Sequence, residues 1–317
     1  MAAVTPWRGR ELGATGIMVT AVGIGTSAIG DMPGAHGYSV DEERAAAALD
    51  DALSGSFNFV DTGANYGAGR SEQRLAASIA RVSPAGLVIA TKVDRDMTTG
   101  YFGGDQVLRS AEESLERLGV DSVPLLHLHD PETMDFDDAM APGGPVAALR
   151  SLRDQGIAQH IGVAGGPASL MKRYVETGEF EVLQTHNRFT LLDRTADELL
   201  DAAASRGMGI INAAPYGGGM LSDAPRGTTR YSYRDASSAT IAASQKMREV
   251  AAAHGISLAA AALQLSLDDL RIHCTVVGMS TPGRAASTLA LADTPIPADV
   301  FAELRSLTPS RDEWLND

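Results

Sequence analysis

FNFVDTGANYG, residues 57–67, is the stretch on which the reading of this chain turns. Phe57-Asn58-Phe59-Val60 has the aromatic and β-branched composition of a buried strand. Asp61 falls where that strand should end. Tyr66 follows on a loop that Gly63, Gly67 and Gly69 leave free to turn. An acid at a strand tip and a phenol on the next loop make half of an active site. The other half must come from other strand ends.

The same unit recurs outward from this stretch. Before it, a hairpin is expected to lead to an apolar run at Val19–Ile24 and a helix from about Asp41 to Leu53. Ser39 and Glu42 give that helix a capping-box signature, and Gly55 stands past its end. After it, strand-like runs at 88–92, 123–129, 160–164, 182–186, 209–214 and 274–278 alternate with helical patterns. The plainest helix is 105–118, with Val107, Leu108, Ala111, Leu115 and Leu118 on one stripe and Gly119 as its stop. Thr195 and Glu198 read as the cap of a helix ending near Gly207. Pro282 reads as the opening of the last barrel helix, with a trailing helix at 299–306.

Eight strands alternating with helices over 317 residues predict an α/β chain folded as a (β/α)8 TIM barrel. An open doubly wound sheet competes, but no glycine-rich dinucleotide fingerprint follows the first strand. No linker, repeat or low-complexity stretch divides the chain, so residues 1–317 read as a single domain. The long irregular segments 131–144 and 217–238 each follow a strand and are expected over the C-terminal mouth, where substrate contacts gather.

The formal charge of -14 argues against nucleic acid or an anionic membrane as partner. No apolar run reaches the roughly 18 residues of a membrane span. The stretch MAAVTPWRGRELG carries no signal-peptide core. Cys274 is the only cysteine, which fits a reducing, cytoplasmic setting.

In a barrel the C-terminal strand ends converge. Asp61, Tyr66, Lys92 and His129 all fall there, from three neighbouring strands. Each has a structural reading of its own: a turn acid, a packing ring, a snorkelling lysine, a hydrogen-bonded core histidine. Together they form a phenol activator. A free tyrosine has a pKa of about 10. An ammonium at about 4 Å, with an effective dielectric near 20, interacts by roughly 4 kcal/mol, or about three pKa units before desolvation opposes it. An adjacent aspartate keeps the lysine charged, and a histidine orients the substrate oxygen. Such a set moves a proton on and off an oxygen. No side chain donates hydride, so a nicotinamide must supply it.

At these residues the chain resembles the aldo-keto reductases, from the hairpin to about Leu291. The motifs are VGIGT, FVDTGANYG, ATK, SLERLGVDSVPLLHLHDPE, IGV and APYGGG, in that order. The resemblance implies a catalytic tetrad of Asp61, Tyr66, Lys92 and His129, with Tyr66 as general acid in reduction and general base in oxidation. His129 matches better than His127 because it directly precedes a short loop. NRFTLLDR and AAPYGGGML resemble the branch of L-fucose, D-threo-aldose and pyridoxal dehydrogenases. That branch implies oxidation of a cyclic hemiacetal hydroxyl to a lactone with NAD or NADP.

Gly25, Thr26 and Asp61 match the family's nicotinamide-side contacts, and Gln184 its carboxamide ligand. The family's Ser-Asn pair is Ala164-Gly165 here, and its stacking aromatic is Ala213, with Tyr216 nearby as a substitute. In VVGMSTPGRAAST, the residues Gly278, Ser280 and Arg284 match the adenosine-phosphate loop. Gly278 stands where NADPH-preferring reductases carry a lysine, which leans the reading towards NAD. The expected substrate is a sugar or aldehyde.

Other readings stay open at this point. His127 and His129 on one side of a strand suit a metal, with His160 and His186 as further ligands, although no metal is needed by the tetrad. Lys92 suits a Schiff-base aldolase. An NADPH-dependent carbonyl reductase of aldehydes and a non-catalytic regulatory subunit fit the same fold.

Overall fold

The structure, a computed structural model, describes residues 7–223 and 229–315; residues 224–228 of the second long segment lie outside the described residues. The chain begins with the expected hairpin, β1 (Arg10–Glu11) antiparallel to β2 (Met18–Val19). Eight strands then close a parallel barrel: β3 (Val22–Gly25), β4 (Phe59–Asp61), β5 (Val88–Val93), β6 (Val123–His129), β7 (Ala158–Gly165), β8 (Val182–His186), β9 (Gly209–Ala213) and β12 (Cys274–Gly278). β12 pairs with β3 on one side and β9 on the other, which completes the ring.

The main outer helices are α2 (Glu42–Leu53), α3 (Arg70–Val82), α4 (Gly104–Leu118), α6 (Pro145–Asp154), α7 (Ala168–Thr177), α8 (Asp197–Ser205), α10 (Leu258–Leu267) and α11 (Arg284–Ala292). Two further helices, α9 (Ser238–Ala253) and α12 (Ala298–Ser306), pack on each other. Short helices α1 (Pro33–His36) and α5 (Phe136–Met140) sit in loops. α4 shows why these helices form where they do. Val107, Ala111 and Leu118 are buried, and Gly119 ends the helix in the left-handed region, its N–H donating to Leu115 O at 2.8 Å. Leu108, expected on the same stripe, lies at its edge and is 43% exposed.

The barrel interior fills with Phe59, Ala90, Leu125, Val182, Ile211, Cys274 and Val276, and the hairpin residues Leu12 and Val19 pack into this cluster. Side chains alternate along a strand, so residues two apart share a face. Two steps beyond Phe59 comes Asp61, and two beyond Ala90 comes Lys92. Beyond Leu125 come His127 and then His129. The apolar floor therefore determines which residues face inward at the mouth.

Several local expectations give way to other contacts. The run 19–24 divides: Val19 pairs with Arg10 in the hairpin, and the barrel strand starts at Val22. Asp41, rather than Ser39, caps α2, its carboxylate accepting from Arg44 N at 2.8 Å. Thr195 does not cap α8. Its hydroxyl donates to Leu315 O at 3.3 Å, and the N-cap is Ala196. Pro282 stays outside α11, which starts after Gly283 in a left-handed turn at φ 77°.

Candidate active site

The tyrosine loop is held by a close approach of two glycines. Gly67 adopts φ 66°, and a Cβ there would run into the Gly30 backbone; one on Gly30 would meet the Tyr66 backbone at 2.6 Å. Ser71 N–H donates to Tyr66 O at 3.1 Å, so the start of α3 also fixes the loop. Tyr66 is half-buried, with its ring 4.6 Å (centroid) from Lys92 Nζ and 5.7 Å edge-on from the His129 ring.

Lys92 is 1% exposed. Its ammonium donates to Asp61 Oδ1 at 2.6 Å and to Thr62 O at 2.5 Å. A buried lysine demands such partners. The structure thus brings Asp61, Tyr66, Lys92 and His129 together.

The electrostatics of Tyr66 depart from the sequence expectation. Burial pushes the phenol well above 10, and the charges of Asp61, Tyr233, Asp130 and Asp94 push it the same way. Lys92 does not reverse this; its ammonium is paired with Asp61 at 2.6 Å. The phenol is held protonated in this state.

His129 is buried, with Nδ1 2.8 Å from Asp94 Oδ1 and Nε2 3.6 Å from Asp130 Oδ1. Burial alone would lower its pKa, but Asp94 and Asp130 outweigh burial and raise it. His127, two residues earlier, is fully buried beside Gly162, and neither ring nitrogen has a partner among the described residues. Burial, then the Lys92 charge, hold it well below 6.5. His160 bonds Glu181 at 2.9 Å instead of joining the mouth. Among the described residues no group of three His, Cys, Asp or Glu side chains is arranged to hold a metal.

The cofactor-side residues separate into two sets. Gln184 Oε1, in the middle of β8, is buried without a partner among the described residues, an orphaned acceptor that fits a donor from the expected carboxamide. A Cβ on Gly278 would meet nothing within 4 Å, so that position opens on free space. Thr26 is buried, its hydroxyl donating to Asp61 O at 2.9 Å and accepting from Ser71 Oγ at 2.8 Å. It contributes rigidity, and Gly25 likewise lets β3 approach Val276 closely. Ser280 Oγ lies 2.9 Å from Tyr38 Oη, and Ser280 O accepts from Arg44 Nε at 2.8 Å. Arg284 sits 5.2 Å above the Tyr216 ring, which places Tyr216 on the β9–β12 side, its buried hydroxyl unpartnered among the described residues.

Two features of the mouth escaped the sequence reading. Asp94 follows Lys92 by two residues in TKVDRD, and an acid so close to a strand-end lysine was the available signal. The second is the hairpin β10 (Arg230–Tyr231) and β11 (Arg234–Asp235), inside the expected 217–238 segment. Its tip, Ser232 and Tyr233, takes φ 48° and 67°, strained values for non-glycine residues. Tyr231 anchors it through Asn187 O at 2.5 Å, and the Tyr233 ring lies 6.2 Å from His36 and 6.3 Å from His186. In the segment 131–144, Phe136 packs on Tyr174 of α7, with ring centroids 4.8 Å apart.

Comparison with known proteins agrees with this geometry. The Aldo/keto reductase family model matches residues 21–309. A D-threo-aldose 1-dehydrogenase of a Pseudomonas species is 29% identical, over 92% of this chain and 94% of its own. An L-galactose dehydrogenase of Arabidopsis thaliana is 31% identical, over 89% and 86%. The holo form of an aldo-keto reductase of Bacillus halodurans superposes with a TM-score of 0.77 at 21% identity, over 95% of this chain and 96% of that one, and supports the fold.

Proposed function

This chain belongs to the aldo/keto reductase family, and from that premise we propose that it oxidises the anomeric hydroxyl of a cyclic aldose to a lactone, with NAD as the favoured dinucleotide. It is an NAD(P)-dependent oxidoreductase. The observation that carries the catalytic assignment is the buried Lys92–Asp61 ion pair, 2.6 Å long, with Lys92 Nζ 4.6 Å from the Tyr66 ring centroid and the His129 ring edge-on to Tyr66 at 5.7 Å. The aldose assignment rests on the relatives named for D-threo-aldose and L-galactose.

Gln184 would hold the carboxamide end of the dinucleotide, and the Gly278–Arg284 loop its adenosine end. When bound, the nicotinamide supplies the hydride acceptor or donor. The remaining work belongs to this chain. Tyr66 exchanges a proton with the substrate oxygen. Lys92 is fixed by Asp61 and Thr62 under the phenol. His129, through Nε2, would hydrogen-bond the same oxygen. Asp61 supports Lys92 from β4, and Gly278 supplies no lysine to the 2′ position, which favours NAD.

A second reading, reduction of an aldehyde, has one observation in its favour. Burial holds the Tyr66 phenol protonated, the form an acid needs. The test is an absorbance assay of nicotinamide reduction and oxidation across aldoses and simple aldehydes, with NAD(H) and NADP(H) in parallel. Reduction of NAD by an aldose supports the proposal; turnover only of NADPH with aldehydes replaces it with the second reading.

A further inference from the structure

Asp94 is a buried acid at the mouth that the tetrad does not use. Asp94 lies just past β5, is 3% exposed, and is fixed from three directions. Its N–H donates to Ser110 Oγ at 3.0 Å, and its carbonyl accepts from Gln106 Nε2 at 3.0 Å, both from α4. Its carboxylate divides its two oxygens: Oδ1 takes His129 Nδ1 at 2.8 Å, and Oδ2 takes the Asn65 N–H at 3.0 Å. Asn65 immediately precedes Tyr66. One carboxylate therefore ties the tyrosine loop to the histidine.

We propose that Asp94 is a positioning residue that locks His129 into the tautomer with its proton on Nδ1 and turns Nε2 into the site's switchable proton contact. The inference rests on the catalytic reading above and deepens it. A carboxylate can only accept, so the ring nitrogen facing it must donate. Nδ1 then carries a proton in both charge states of the ring, and Nε2 carries one only when the ring is an imidazolium. As imidazolium, Nε2 donates to the substrate oxygen, which suits reduction. As a neutral ring, Nε2 accepts, which suits removal of the hydroxyl proton in oxidation. The proton count balances: Nε2 gains one proton from the substrate–Tyr66 side in oxidation and returns it in reduction, while Asp94 takes up none.

The groups facing His129 define what tunes the switch. Tyr66 comes from the β4 loop, Lys92 and Asp94 from β5 and its loop, His127, Asp130 and Glu132 from β6 and its loop, and His186 from β8. Asp94 and Asp130 act for the charged ring; burial and Lys92 act against it. Asp94 is the only one of these that the structure shows hydrogen-bonded to Nδ1.

The test combines NMR of histidine-labelled protein with kinetics of Asp94→Asn, His129→Gln and the double variant. In the wild type, the His129 nitrogen signals should show Nδ1 protonated on both sides of its titration; a neutral ring with bare Nδ1 overturns the proposal. This readout needs no substrate, so it stands apart from the aldose assignment, and no variant, so it survives a variant that does not fold. In Asp94→Asn the proton affinity of His129 should fall about ten-fold or more. The alkaline limb of the reduction profile and the acid limb of the oxidation profile share one midpoint in the wild type, and both should move. The kcat should drop about 10- to 100-fold with KM and dinucleotide binding little changed. In the His129→Gln background, Asp94→Asn should add almost nothing; an equal additional loss there means that Asp94 acts through the Asn65 loop alone, and contradicts the proposal.

Discussion

Replacing Lys92 by methionine should unlink stability from activity in a way that only a buried pair explains. The ammonium is 1% exposed and 2.6 Å from Asp61, whose side chain is 5% exposed. Removing one member of such a pair leaves a buried charge uncompensated, at a cost of about 3–5 kcal/mol. Lys92 also sits 4.6 Å from the Tyr66 ring centre, and at an effective dielectric near 20 its attraction for a phenolate is roughly 4 kcal/mol before Asp61 offsets part of it. Lys92→Met should therefore lose both folding stability and turnover. The double variant Lys92→Met, Asp61→Asn removes the orphaned charge, so it should regain most of the stability and none of the activity. Urea unfolding followed by secondary structure measures the first quantity, and nicotinamide absorbance the second. A double variant no more stable than Lys92→Met would refute the argument, because the loss would then lie in packing.

Two further outcomes follow from other parts of the barrel. Gly278→Lys should improve NADPH over NADH by about 10- to 100-fold, the span of a charged hydrogen bond of about 1.5–3 kcal/mol, since a side chain there meets nothing within 4 Å; nucleotide fluorescence titrations read the ratio, and no change means that the 2′ position lies elsewhere. His127 is held well below its ordinary pKa, so the unfolded chain takes up its proton first as pH falls below about 6.5 and the fold loses about 1.4 kcal/mol per pH unit from this group until its folded pKa is reached. His127→Leu should flatten the acid limb of the stability profile by that slope; an unchanged limb in urea titrations would assign it to other histidines.

The barrel was legible because its strands are short apolar runs with sharp ends. β6, β8 and β12 begin and end where their sequences change character, at His129, His186 and Gly278. The convergence of these side chains was legible for the same reason: Asp61, Lys92 and His129 each interrupt such a run at its mouth. Helix caps were less so. Ser39 and Asp41 offer equivalent side chains two residues apart, and only the path of the chain into α2 chooses Asp41. Thr195 was drawn into a contact with Leu315, 120 residues away, which no local pattern encodes. The proton affinity of Tyr66 departs from the expectation because burial of the phenol, which no pair of side chains in the sequence reveals, raises its pKa, and the Asp61 charge adds to it. Asp94 and Tyr233 reach the mouth from loops whose course depends on tertiary contacts, with Ser110 and Gln106 for one and Asn187 for the other.

The most direct test of the account is Tyr66→Phe, measured in one preparation for nicotinamide dinucleotide affinity and for turnover with the best aldose. The phenol hydroxyl is the proposed proton carrier, while Gln184 and the Gly278–Arg284 loop are the proposed dinucleotide contacts. The account predicts unchanged dinucleotide affinity and a loss of turnover of about 100- to 10,000-fold, the range of general acid–base catalysis. Turnover at the wild-type rate would contradict it, and the proton would then have to travel through His129 alone.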